Sequence, residues 1–349
     1  MVRIGIIGIG FMGYTHFSAA KDLKDAKVTA ICTRDENKLA GDWTSIQGNF
    51  GPRGGQVDVS ELKTYNDYKE LLADPEIDLV DICLPPELHE KVTLEAIAAG
   101  KATIVEKPIA VQLDSANRMV EAADNAGVPF MVAQVLPFFP EFQFAADCVR
   151  SGRFGKLRAG HFRRVICEPD WSSDMSDYKN LGGWGIDLHI HDNHFISLIC
   201  GLPDAVYARG TLQEGFVNHL HSQYIYDDSE LAVSAVSGGI AAKGLQFAHG
   251  YELFFQEATV AFSAGTLGGE WIVDRPLTVF NQEGKLEHPT LDAGNEWYSA
   301  FTNELQAAVE GVKDGKAPRL LSGTLARDAL KLCYAEAESI ATGEIVSLA

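Results

Sequence analysis

Four groups of residues in this chain have types and spacings suited to chemistry. The first is Gly8-Ile9-Gly10-Phe11-Met12-Gly13, a GxGxxG run. It follows the apolar run Val2–Gly8 and opens a helical stretch, Phe11–Leu23, so it occupies the first strand-to-helix turn. There the first glycine permits the tight turn, the second lets a pyrophosphate approach the backbone, and the third lets helix and strand pack closely. The helix N-terminus adds unpaired N–H groups and a partial positive charge for phosphate. The second group is Cys32-Thr33-Arg34-Asp35, about 20 residues further on, where a dinucleotide fold places the residue that holds the ribose. A carboxylate at that place accepts hydrogen bonds from the ribose hydroxyls. Thr33 and Arg34 instead offer a hydroxyl and a cationic fork, which suit a 2′-phosphate. NADP is therefore expected ahead of NAD, with Asp35 available to the ribose if the strand runs one residue further.

The third group is Val105-Glu106-Lys107-Pro108. Ala102–Val105 reads as a strand, so Lys107 stands at a strand's carboxyl end, the side of an open α/β sheet that faces ligands. An ammonium there would hold a substrate oxygen and stabilise developing alkoxide charge. The fourth group lies between Asp187 and His194, with His189, His191 and Asp192 inside it. Read as one helix over Asp187–Cys200, at about 100° per residue, Asp187 and His191 share a face, His194 joins it, and His189 points away. Histidine titrates near neutrality and suits the base that takes a hydroxyl proton as hydride leaves. His189 and His194 otherwise read as packing or hydrogen-bonding residues. The same residues are metal-ligand types. A metal-dependent hydrolase using Asp187, His189, His191 and His194 is thus the rival reading, although a helix would spread ligands that zinc needs converged. No metal is expected.

The elements that must position these groups fall into two halves. Up to about residue 130, short apolar strands alternate with helices, including Val28–Cys32, Asn66–Leu72, Leu79–Leu84, Glu87–Ala99, Leu113–Asn125 and Phe130–Ala133. That pattern means βαβ units and a parallel sheet covered on both faces. Ile46–Gln56 reads as a glycine-rich surface loop between them. Beyond it come a long strand, Lys156–Ile166, a helix, and strand candidates from Ala205 to Phe280, a mixed or antiparallel sheet. Helices over Glu296–Glu310 and Thr324–Thr342 close the chain. The expected class is α/β, with an N-terminal Rossmann doubly wound parallel sheet (1–130) and a C-terminal α/β domain with a large open mixed sheet (131–349).

The 349 residues carry 29 basic and 48 acidic side chains, a net charge of −19, which argues against nucleic-acid or anionic-membrane partners. No apolar run approaches the roughly 20 residues that span a bilayer. Six scattered cysteines without a CxxC pair, and an N-terminus that reads as a strand, fit a cytoplasmic protein with reduced thiols.

The strand-end Glu106-Lys107-Pro108, following GxGxxG and the Leu84-Pro85-Pro86…His89 turn, resembles the Gfo/Idh/MocA oxidoreductase family. The segment Gly182-Gly183-Trp184-Gly185-Ile186-Asp187-Leu188-His189-Ile190-His191-Asp192 is similar to that family's glycine-rich run into DxxxH, and the closing Ser322-Gly323…Ile345 segment also looks familial. The resemblance implies an N-terminal Rossmann domain, a second domain on an open sheet, and an active site between them. It implies reversible hydride transfer between a nicotinamide and a secondary alcohol of a sugar, cyclitol or related polyol, by dimers or tetramers. Carried over, Lys107 is the catalytic lysine, and Asp187 and His191 are the DxxxH pair. Gly8, Gly10, Phe11, Met12, Gly13, Thr33, Arg34, Leu84, Pro85, His89, Glu106 and Lys107 form the cofactor side. Two departures stand out. Pro137 occupies the neighbourhood of an expected arginine, and His189 replaces a glycine between Asp187 and His191. Arg163 and Arg164, with Trp184 and His194, are the substrate-side candidates. A nicotinamide-binding regulator without turnover is a third reading. An open sheet exposing strands such as Leu231–Val236 and Leu253–Phe255 would self-associate.

Overall fold

The computed structural model describes residues 1–48, 50–168 and 178–348. The chain divides into two compact units: Met1–Phe138 with Ala293–Arg327, and Phe139–Asp292 with Asp328–Ala349. The first unit thus runs past residue 130 and takes back a segment near the C-terminus.

In the first unit, β1 (Val2–Ile7), α1 (Phe11–Ala19), β2 (Ala26–Cys32), α2 (Glu36–Leu39), β3 (Lys63–Tyr65), α3 (Tyr68–Ala73), β4 (Leu79–Ile82), α4 (Pro86–Ala98), β5 (Ala102–Glu106), α5 (Leu113–Ala126) and β6 (Phe130–Ala133) follow in order. The six strands lie as β3-β2-β1-β4-β5-β6, and every pair is parallel. This is a doubly wound sheet whose order reverses between β1 and β4, the place where such sheets open a ligand crevice. Every residue of β4, β5 and β6 is buried, so these strands are mostly apolar, with Asp81, Thr103 and Glu106 as their buried polar exceptions.

Two details depart from the sequence expectation. Asp67, not Asn66, caps α3, accepting from the Lys69 N–H. The three-residue edge strand β3 has two exposed residues and no apolar run to reveal it. The glycine-rich loop is also not bare surface. Trp43 and Ile46 are buried, and the Phe50 ring lies 4.7 Å from that of Phe11 and 5.5 Å from that of Phe301. Asn49 lies outside the described residues.

The second unit is built from α6 (Pro140–Ser151), β7 (Leu157–Cys167), α7 (Tyr178–Leu181), α8 (Gly183–Asp187), α9 (Ile190–Cys200), β8 (Ala205–Gln213), β9 (Phe216–Ile225), β10 (Ala232–Ile240), β11 (Leu245–Phe255), β12 (Ala258–Leu267), β13 (Glu270–Asn281) and β14 (Leu286–Glu287). Then α10 (Ser299–Asp314), which belongs to the first unit and starts three residues later than the sequence suggests, precedes α11 (Gly323–Thr342) and β15 (Val346–Ser347). The nine strands are ordered β14-β13-β12-β11-β7-β10-β9-β8-β15. Only β7 with β10 is parallel, so the sheet is mixed as expected. The strands expected to be bare are half covered: Val233, Leu253 and Phe255 are buried, and Phe254 faces solvent.

The expected single helix over Asp187–Cys200 is broken. Leu188 and His189 both donate their N–H to the Trp184 carbonyl, at 3.1 and 2.9 Å, which closes α8. A new helix then starts from the His189 carbonyl, which accepts from Asp192 and Asn193. The helical-wheel argument for Asp187 and His191 therefore does not apply across the break.

Candidate active site

The glycine turn has the geometry that a dinucleotide needs. Gly8 has φ +98°, and a Cβ there would stand 2.4 Å from the Cys83 carbonyl oxygen at the end of β4. A Cβ on Gly13 would come 2.0 Å from the Gly8 carbonyl oxygen, so the third glycine is required by helix–strand packing. A Cβ on Gly10 would meet nothing within 4 Å. Gly10 caps α1 without a side-chain hydrogen bond, which leaves the first turn's N–H groups turned to open space. A phosphate fits there. Phe11 packs against Phe50, with Met12 partly exposed beside it.

At the end of β2, Arg34 is exposed and makes no hydrogen bond or ion pair among the described residues. Asp35 is committed elsewhere: its carboxylate caps α2, accepting from the Asn37 and Lys38 N–H groups. At the end of β4, Leu84 and Pro85 reach the surface, but His89 is buried. Its Nδ1 lies 2.8 Å from the Pro108 carbonyl oxygen and its Nε2 2.7 Å from that of Leu84. Burial holds its basicity below the usual value. His89 thus ties the Leu84 turn to the turn after β5 rather than facing a cofactor. Lys107 follows β5 directly and is partly exposed, with Glu106 buried beneath it.

In the second unit, residues 182–197 are buried except for Asp187 and His191. The helix break and the packing around it deliver those two side chains to the surface. Trp184, His194 and Arg164 go the other way. Trp184 packs with Leu188, Ile166, Phe216 and Phe247. His194 is fully buried. Arg164 alternates with Arg163 along β7, so the two face opposite sides of the sheet. Arg164 is buried, with its Nε 3.0 Å from Asp192 Oδ2, while Arg163 is exposed and donates to Ser263 Oγ. Only Arg163 of the four substrate-side candidates is a surface residue.

Among the described residues, Asp187, His189, His191 and His194 are not found as a group of converging metal-ligand atoms, and His189 is engaged elsewhere. Its Nε2 lies 3.1 Å from Glu336 Oε1 and 3.1 Å from the Tyr224 hydroxyl, inside the unit. Burial opposes its charge, but Glu336 and Asp192 outweigh burial and raise its pKa to about 9. Among the described residues, the group that does bring metal-ligand atoms together is His16, Asp81 and Cys83 in the first unit.

Residues 2–134 match the sequence profile of the GFO_IDH_MocA family, described as an oxidoreductase family with an NAD-binding Rossmann fold. This N-terminal part of the chain is similar to the Gfo/Idh/MocA oxidoreductases. The chain is 25% identical to the myo-inositol 2-dehydrogenase of Thermotoga maritima over 99% of its own length and 98% of that protein's. It is likewise 25% identical to the inositol 2-dehydrogenase of Rhizobium meliloti, over 100% and 99%. Its fold matches that of an NAD-binding oxidoreductase from Klebsiella pneumoniae with a TM-score of 0.80 at 21% identity, covering 100% and 99% of the two chains. The apo scyllo-inositol dehydrogenase from Lactobacillus casei matches with a TM-score of 0.73 at 22% identity, covering 99% and 98%.

One group in this chain escaped the sequence reading. His16, three residues past Gly13, is fully buried among Asp81, Cys83, Glu106 and Glu304. The available signal was Thr15, His16 and Ser18 on a helix whose buried side should be apolar. No described helix of the chain is long and apolar enough to cross a membrane.

Proposed function

We propose that the protein is an NAD(P)-dependent dehydrogenase acting on the CH–OH group of a polyol or cyclitol, with NADP(H) preferred. The observation that carries this reading is the selective exposure of Asp187 and His191 in an otherwise buried segment, on a chain that aligns end to end with two inositol dehydrogenases. The bound nicotinamide supplies the hydride acceptor. His191 takes the hydroxyl proton as the C–H bond breaks, Asp187 orients that imidazole or a neighbouring hydroxyl, and Lys107 stabilises the developing alkoxide. The exposed, unengaged Arg34 and the capping role of Asp35 support the 2′-phosphate.

The test is a panel of cyclitols and sugars, including myo-inositol and scyllo-inositol, with each nicotinamide. The reading expects reduction of the nicotinamide with at least one of them. It also expects His191→Asn to remove the rise of rate with pH near neutrality, because a base must be deprotonated to act. Tight nicotinamide binding with no turnover across the panel would instead favour a binding regulator.

A further inference from the structure

Beneath the glycine turn, His16 is enclosed by ionisable groups from three other elements. From the β4 end come Asp81, with its two oxygens 3.1 and 2.9 Å from His16 Nδ1, and Cys83, with its Sγ 3.5 Å away. From β5, Glu106 places Oε1 3.2 Å from His16 Nε2. From α10, Glu304 places Oε2 3.9 Å from the same nitrogen. Its own helix contributes only Thr15 and Ser18 on the buried side. Glu106 then uses its second oxygen, Oε2, to accept the backbone N–H of Lys107 at 2.9 Å.

We infer that His16 is a positioning residue for Lys107, acting through the chain Asp81–His16–Glu106–Lys107 N–H. Each ring nitrogen faces a carboxyl oxygen, and a neutral imidazole has one N–H to give. A doubly protonated ring pairs with both sides: Nδ1 is hydrogen-bonded to Asp81, and Nε2, which makes no hydrogen bond of its own among the described residues, stands at ion-pair distance from Glu106. Burial alone would lower the basicity of His16, but the charge of Asp81 keeps it well above the usual value. Glu304 has both oxygens without a hydrogen-bond partner among the described residues, and burial raises its pKa well above the usual carboxyl range, which favours its neutral form. One cation is therefore shared by Asp81 and Glu106. Without it, two buried carboxyl groups lose their counterion, Glu106 has no reason to hold its rotamer, and the Lys107 backbone loses its anchor. A metal on His16, Asp81 and Cys83 is the competing use of the same atoms. Against it, Nδ1 already stands at hydrogen-bond distance from Asp81, and burial pushes the Cys83 thiol away from the thiolate that a metal would need.

The effect on turnover rests on the role proposed for Lys107, whereas the positioning itself does not, and the experiment separates the two. Nitrogen-resolved NMR on the full chain should show both His16 ring nitrogens still protonated above the ordinary histidine range, at about pH 7.5. In His16→Gln, and in the shape-conserving Glu106→Gln should the first fail to fold, exchange of the Lys107 amide should accelerate about tenfold or more. With the polyol found by the panel, His16→Gln should lower kcat about tenfold at unchanged KM, and add nothing in a Lys107→Ala background. A neutral His16 ring, an unchanged Lys107 amide in a folded variant, or stoichiometric zinc lost in Cys83→Ser would each overturn the inference. Wild-type turnover in Lys107→Ala would instead remove the catalytic lysine and leave the NMR arm to decide positioning.

Discussion

Arg34 and Lys107 are the two residues on which the proposed function rests most directly. Arg34 stands exposed after β2 with no protein partner among the described residues, while its neighbour Asp35 spends its carboxylate on α2. Charge-assisted hydrogen bonds contribute about 1.5–3 kcal/mol, or roughly ten- to a hundredfold in affinity. Arg34→Ala should therefore weaken NADPH binding by that factor and leave NADH binding nearly unchanged, as titration of each nucleotide would read. Tighter binding of NADH in the wild type, weakened by Asp35→Ala, would reverse the assignment. Lys107→Ala should lower kcat by about a hundredfold or more, because the ammonium acts on charge that develops only in the transition state. Nicotinamide affinity, measured by fluorescence titration, should survive.

At the scale of elements, the break between α8 and α9 is held by a buried ion pair. His189 and Glu336 are both fully buried and 147 residues apart in sequence. His189→Ala would strand the Glu336 charge in the interior, and removing one partner of such a pair costs about 3–5 kcal/mol. Urea unfolding would read this loss. The pH dependence has a definite sign. The folded pKa of His189, about 9, lies above the ordinary 6.5. Its contribution is thus complete below about pH 6.5 and is lost as pH rises through about 9, a change on the order of 3 kcal/mol. The wild type should lose stability across that window, and His189→Ala should show a flatter profile. An equal alkaline loss in the variant would place the titrating group elsewhere.

At the scale of the whole molecule, the open sheet of the second unit is the surface to test for assembly. Phe254 is 40% exposed, while its strand neighbours Leu253 and Phe255 are buried. We propose that this face joins copies of the chain. Light scattering on the wild type should then give a mass that is a multiple of 37.9 kDa, and Phe254→Lys should shift it towards a single chain. A wild type that already runs at the single-chain mass at high concentration would end that proposal.

What the sequence determined by itself was local. Apolar runs punctuated by glycine and proline specified the parallel sheet, because strands buried on both faces admit little else. The spacing of Gly8, Gly10 and Gly13 specified a phosphate-binding turn, since each glycine answers a backbone constraint within a few residues. Lys107, Asp187 and His191 were readable as a motif set, and their partial exposure follows from the fold. What only the tertiary structure decided was long-range. The return of α10 to the first unit, the break at Leu188–His189, and the burial of Trp184, His194 and Arg164 depend on partners far along the chain. The same holds for His16, whose role comes from Asp81, Glu106 and Glu304, 65 to 288 residues away in sequence. Periodicity reports which way a side chain points relative to its own element, and an ion pair between elements exists only once both are packed.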